Sequence, residues 1–185
     1  MSDLFNYDEY LKRIKPLIIS VITRKRNDSD MSDILLDPII DKYKKHCKYV
    51  KQLQMNVGEI WQIVIGEYDG YKNLKVGHCS KMDVYHEKSN VYIELKNRYN
   101  TDNSSSRSAN YTKMTDIMKK DSSAICIYGI INDKNQDGSV KEIEYKGHKI
   151  KIYSGNKLLK YIFGEKYKEV IAYVAEILKE HITID

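Results

Sequence analysis

Residues 91–96 read Val91-Tyr92-Ile93-Glu94-Leu95-Lys96. Side chains alternate faces along a strand. Val91, Ile93 and Leu95 therefore turn to one side, where they can be buried, and Tyr92, Glu94 and Lys96 turn to the other. A carboxylate and an ammonium stand side by side near the end of one strand. Residues 79–85 read as its partner strand, with His86-Glu87-Lys88-Ser89-Asn90 turning between the two. A short hairpin of that kind brings Asp83, between Met82 and Val84, close to Glu94.

The elements on either side fix the fold class. Residues 97–108 form a polar loop rich in Asn and Ser, and residues 109–120 a helix with Met114, Ile117 and Met118 inward. Residues 123–131 are nearly continuously apolar, as a strand covered on both faces would be. A turn over 132–139 leads to a hairpin of 141–145 with 149–153 around Lys146-Gly147-His148. Two helices, 156–163 and 165–180, close the chain on either side of Gly164. Before the hairpin, Asp37-Pro38 looks like a helix cap with proline in the first turn. Apolar positions then recur at helical spacing from Ile39 to Val64, with Lys44, Lys45, Lys48 and Lys51 on the other side. The Asp69-Gly70 and Val76-Gly77 turns follow. The first segment, 7–23, is also helical in spacing, with a kink or break expected near Lys15 because Pro16 interrupts it. Arg24 to Asp30 is a polar connector. The order of helix, hairpin, helix, central strand, hairpin and helices is α/β with a mixed central sheet.

Length and composition agree with one domain over 1–185, of which 1–56 is the mainly helical part. A chain of 185 residues can bury a real core, and 42% hydrophobic with 31% charged residues argues against disorder. The apolar runs fall short of the ~18 residues of a membrane span. The first residues carry early acids and no apolar run, so no secretory signal is expected. Cys47, Cys79 and Cys126 are odd in number and scattered, which fits a reducing cytoplasmic location rather than a disulfide scaffold. His46-Cys47 and His78-Cys79 are adjacent pairs and lack zinc-ligand spacing. With 31 basic and 26 acidic residues the net charge is +5, which permits a nucleic-acid partner without requiring one.

Asp83, Glu94 and Lys96 make chemical sense together. Two carboxylates can hold Mg²⁺, which takes oxygen ligands and needs only one or two carboxylates from the protein. The ion neutralises phosphate charge and lowers the pKa of a bound water, and a lysine can orient that water and face the charge that develops. That is the chemistry of phosphodiester hydrolysis. Spacing alone does not single the set out, because Asp133, Glu144 and Lys146 repeat it. Context separates the two. Asp133 lies in an Asn/Gly loop and Lys146 enters a tight turn, so Glu144 and Lys146 read as a cross-strand or surface pair. The chemistry needs no histidine, and His78, His86 and His148 read as structural or surface residues.

Asp83 followed by Glu94-Leu95-Lys96, in this order of elements, resembles the PD-(D/E)XK nuclease superfamily. The longer string Ile93-Glu94-Leu95-Lys96-Asn97-Arg98-Tyr99-Asn100-Thr101-Asp102-Asn103-Ser104-Ser105-Ser106 resembles type II restriction endonucleases of the group that cuts GGNCC. Gly58-Glu59-Ile60-Trp61-Gln62, Gly77-His78, and Ser154-Gly155-Asn156-Lys157-Leu158-Leu159 followed by Gly164 are similar to the same group. The resemblance covers roughly Val57 to Val170, and Met82 stands where the superfamily name has Pro. It implies a restriction-endonuclease-like core of α-β-β-β-α-β order. It also implies that Asp83 and Glu94 are metal ligands for Mg²⁺, with Mn²⁺ able to substitute, and that Lys96 lies beside the attacking water. Glu59 is either a further acidic group near the metal or a plain helix acid.

After the catalytic strand come Asn97, Arg98, Asn100, Thr101, Asn103, Ser104, Ser105, Ser106 and Arg107. Asn can pair with adenine, Arg with guanine, and Ser and Thr with phosphates. The plain alternative is a solvated connector with helix-capping serines. The resemblance favours contact with double-stranded DNA. It further implies a homodimer on a palindromic site, with one active site for each strand, and a cognate DNA methyltransferase as genetic partner. Two other readings stay open from the residues: a structure-selective nuclease of junction or repair type, and a DNA-binding protein without catalysis.

Overall fold

A computed structural model describes residues 5–24, 37–75 and 77–182; side chains are described for these except 37–49 and 51. The expected connector after Arg24, the cap at Asp37-Pro38 and the lysine face of the long helix fall outside the described residues or side chains. Two helices come first, α1 (Tyr7–Thr23) and α2 (Asp37–Gly66), followed by β1 (Tyr71–Asn73), β2 (Val84–His86) and β3 (Val91–Arg98). Helix α3 (Ser104–Lys120) leads to β4 (Ile125–Asn132), the hairpin β5 (Val140–Tyr145) and β6 (His148–Ser154), then α4 (Gly155–Phe163) and α5 (Tyr167–His181). A 3₁₀ turn, Gly164–Lys166, joins the last two helices.

The six strands form one mixed sheet in the order β1-β2-β3-β4-β6-β5. β3 lies parallel to β4, and β4 to β6; the other pairs are antiparallel. The run α2-β1-β2-β3-α3-β4 has the α-β-β-β-α-β order that the resemblance implies. Its first strand, β1, is the one that the hydrophobic pattern did not reveal.

The sheet separates two cores. On one face Val91, Ile93 and Leu95 pack with Ile127 and Ile131 against α1, α2, α4 and α5, through Ile14, Ile60, Val64, Leu158 and Val174. On the other, Tyr128 and Cys126 of β4 meet Met114 and Met118 of α3. β4 is thus covered on both faces, as its unbroken apolar run demands. Gly129 lets α4 come close there: a Cβ would stand 3.0 Å from Leu158 Cδ2 and 3.2 Å from Ile93 Cγ2.

Three expectations are corrected. Helix α1 runs unbroken through Pro16, which lies on its exposed side, where the carbonyl that proline leaves without a donor can be hydrated. The strand expected from Cys79 begins only at Val84, because Lys81 takes a left-handed backbone (φ 55°) and the chain before Asp83 curls into a turn. The polar loop is shorter than expected. β3 continues to Arg98, and α3 starts at Ser104, capped by Asn103, whose side chain accepts from the Ser106 amide at 2.8 Å.

Candidate active site

The divergence of β2 from β3 shapes the site. The Asp83 amide still bonds the Ile93 carbonyl at 3.2 Å, but Met82 is drawn under α3 into the second core. The Leu95 N–H consequently has no ladder partner on β2, and Asp83 Oδ2 accepts it at 2.7 Å. From the opposite face Gln62 of α2 donates to Asp83 Oδ1 at 3.0 Å. One carboxyl group is therefore pinned by a strand and a helix, which fixes its direction more firmly than a free rotamer would.

Glu94 lies next on β3, facing α3, with 5% of its surface exposed. Its Oε1 accepts from Lys96 Nζ at 2.8 Å, and Lys113 Nζ of α3 stands 3.9 Å away. Lys96 is also 3.6 Å from Asp102 Oδ1. Asp102, just before the cap of α3, accepts through Oδ2 from the Tyr128 hydroxyl at 2.6 Å and from Asn110 Nδ2 at 2.8 Å. Lys113 completes the circuit by donating to Asn110 Oδ1 at 2.9 Å.

The electrostatics follow from burial. Desolvation and then the neighbouring Glu94 push the Asp83 carboxyl up to about 6, against the Leu95 amide, Lys96 and Lys113, which work the other way. Burial alone would lower the Lys96 ammonium, but Glu94, Asp102 and Asp83 outweigh it and hold the group above its ordinary value. Burial, then Asp102, push the Tyr128 hydroxyl up, so it stays a donor. A buried carboxyl raised by a carboxylate beside it marks a place where a divalent cation would relieve repulsion, so the donor set fits a hard, oxygen-seeking metal.

The residues expected from sequence are distributed unevenly. Asp83, Glu94 and Lys96 converge. Glu59 Oε1 pairs with Arg24 at 2.9 Å, and Gln62, one turn further along α2, is the residue that reaches Asp83. Asn97 is committed to packing, donating to the Gln54 carbonyl at 3.2 Å and accepting from Asn132 at 2.9 Å. Arg98, Asn100, Thr101, Asn103, Ser104, Ser105, Ser106 and Arg107 are exposed. The first three belong to the end of β3 and its turn, and Ser104 to Arg107 to the first turns of α3 rather than to a loop. Sequence reasoning missed Gln62, Asp102, Asn110 and Lys113. The signals were an acid inside an Asn/Ser run and a polar pair, Asn110 and Lys113, on the inward side of a helix.

The second D-x₁₀-E-x-K set is not assembled. Asp133 accepts from the Ser154 hydroxyl, Glu144 faces Lys149 across the hairpin, and Lys146 turns to Thr112 Oγ1 at 3.1 Å.

A model of the Eco47II restriction endonuclease family matches residues 11–182. The chain belongs to the Eco47II restriction endonuclease family. The match runs from α1 to the end of α5 and so includes every residue of the cluster. Within the curated proteins, the type II restriction enzyme Sau96I of Staphylococcus aureus is 27% identical over 129 residues, covering 63% of this chain and 49% of that enzyme. The chain thus spans about half the length of the curated relative it matches. Among the described residues of this Eco47II-family chain, no helix is long and apolar enough to cross a membrane.

Proposed function

We propose that the chain is a type II restriction endonuclease. It hydrolyses phosphodiester bonds of double-stranded DNA at a specific sequence and leaves 5′-phosphate and 3′-hydroxyl ends. The observation that carries this reading is the convergence of Asp83, Glu94 and Lys96 at the splayed end of β2 and β3, in a chain of this family. Asp83 and Glu94 would hold Mg²⁺, or Mn²⁺ in its place. Such an ion, when bound, neutralises phosphate charge and makes a bound water more acidic. Lys96 orients the attacking water and faces the charge that develops on the phosphoryl oxygens. Gln62 and the Leu95 amide keep Asp83 aimed at the site.

Exposed Arg98, Asn100, Thr101 and Asn103, with Ser104, Ser105, Ser106 and Arg107 on the first turns of α3, supply DNA contacts next to the cut. The amide ends of α3 add partial positive charge there. GGNCC is the recognition sequence to try first, on the strength of the Glu94-to-Ser106 string. A palindromic site of that kind calls for a homodimer and for a methyltransferase that protects host DNA in the same cytoplasm.

The test is a digest of unmethylated plasmid DNA with Mg²⁺ and with EDTA, followed by sequencing of the ends. Discrete bands that require Mg²⁺ are expected. A Mg²⁺-dependent smear would overturn sequence specificity. Intact duplex with cleaved four-way junctions would replace the reading with a structure-selective nuclease.

A further inference from the structure

Lys96 has two carboxylates to choose from. Its ammonium donates to Glu94 Oε1 at 2.8 Å and stands 3.6 Å from Asp102 Oδ1. Asp102 is itself held still. Its side chain is 9% exposed, and Oδ2 accepts from both Tyr128 and Asn110, which leaves Oδ1 toward Lys96. Tyr128 sits on the central strand opposite Glu94 in the β3–β4 register, and Asn110 is 5% exposed on α3. Both donors belong to packed elements and neither is free to follow the lysine.

We propose that Asp102 is a positioning residue: it receives the Lys96 ammonium when Glu94 turns its oxygen to a divalent cation. The proposal rests on the nuclease reading for the identity of that cation. An ammonium and a divalent cation compete for one carboxylate oxygen and repel each other across it. Closing the gap to Asp102 to ordinary hydrogen-bond length takes a shift of only about 1 Å. The lysine then stays within the cluster, displaced from the metal's oxygen but still beside the water it orients. Tyr128 and Asn110 ensure that the lysine moves and the carboxylate does not.

Calorimetric titration of the full chain with Ca²⁺, without DNA and carried to about 10 mM, reads this directly. Asp102→Asn keeps the shape of the side chain and an acceptor for Tyr128, and it should weaken Ca²⁺ binding roughly tenfold, the size typical of an outer partner of a metal ligand. In a Lys96→Met background the same change should alter the affinity by less than about twofold, since no ammonium is left to receive. Tyr128→Phe preserves the charge of Asp102 and loosens its hold; it should give a smaller weakening that also vanishes without Lys96. In cleavage assays Asp102→Asn should lower kcat while leaving the KM for DNA unchanged. An equal loss of Ca²⁺ affinity with and without Lys96 would make Asp102 a ligand or a bulk charge and overturn the proposal. So would an unchanged affinity in Asp102→Asn. Failure of the unsubstituted chain to bind Ca²⁺ at all would likewise overturn this proposal, and the nuclease reading would still be decided by the Mg²⁺-dependent digest, since substrate phosphates can complete a metal site that two carboxylates leave weak.

Discussion

Burial makes the charge of Asp83 expensive to keep. Its carboxyl holds a proton up to about pH 6 in the folded chain, against an ordinary value of 3.8. A raised folded value means that the stabilisation is complete below the unfolded value and is lost as pH rises through about 6. Without metal, then, the protein should lose stability between about pH 4 and 6 from this group. Asp83→Asn should recover on the order of 1–2 kcal/mol at pH 8. Chemical denaturation in EDTA at pH 5 and pH 8 checks this; a destabilised Asp83→Asn protein at pH 8 would contradict it. Metal binding has the opposite dependence, since a cation takes the ionised form, and its affinity should fall as pH drops below about 6. Sequence made Asp83, Glu94 and Lys96 legible because strand alternation and a short turn are local rules. Gln62, Asp102 and Lys113 were not legible, because what brings them in is the packing of α2 and α3 on opposite faces of β3.

At the scale of elements, α3 depends on its first turn. Asn103 caps it and also accepts from Ser105 Oγ at 2.8 Å, so one side chain organises the segment that carries Asp102 and the proposed DNA contacts. Asn103→Ala should cost about 1 kcal/mol of stability, measured by urea denaturation, and should slow cleavage by more than the stability loss explains. Gly129→Ala probes the other side of the sheet. The added methyl would press Leu158 and Ile93, and the strain should cost about 1–3 kcal/mol. An unchanged denaturation midpoint would show that α4 can retreat. Long elements could be read from the hydrophobic pattern: β3 by its alternation, β4 by its unbroken apolar run and α2 by its helical spacing. β1 could not, because three residues are too few to show alternation, and its existence depends on pairing Tyr71 with His86. The start of α3 was hidden for a different reason. Serine and asparagine suit a solvated loop and a helix cap equally, and only the cap geometry decides between them.

The whole molecule offers its own control. Two stretches satisfy D-x₁₀-E-x-K, and the sheet gathers one of them and disperses the other. In the first, β2 and β3 are joined by a tight turn and then diverge, so that Asp83 meets the strand carrying Glu94 and Lys96. In the second, Asp133 follows β4 and bonds Ser154 at one end of the β5–β6 hairpin, while Lys146 occupies the turn at the other. Context in the sequence pointed the same way, but only the register of β5 with β6 shows that the second set is spread along a ladder. The palindromic target proposed above calls for a two-fold assembly, so sedimentation at micromolar concentration should give twice the mass of the chain, and a strict monomer on cleavable DNA would count against it. Under the proposed function the first set alone performs hydrolysis. The most direct measurement compares single-turnover cleavage of duplex DNA in Mg²⁺ by the unsubstituted chain, Glu94→Gln, Lys96→Ala, and the pair Glu144→Gln with Lys146→Ala. Losses of roughly 10²-fold or more are expected for each of the first two substitutions, and a rate within about twofold for the last. Cleavage that survives Glu94→Gln and Lys96→Ala, or that disappears with Glu144 and Lys146, would contradict it.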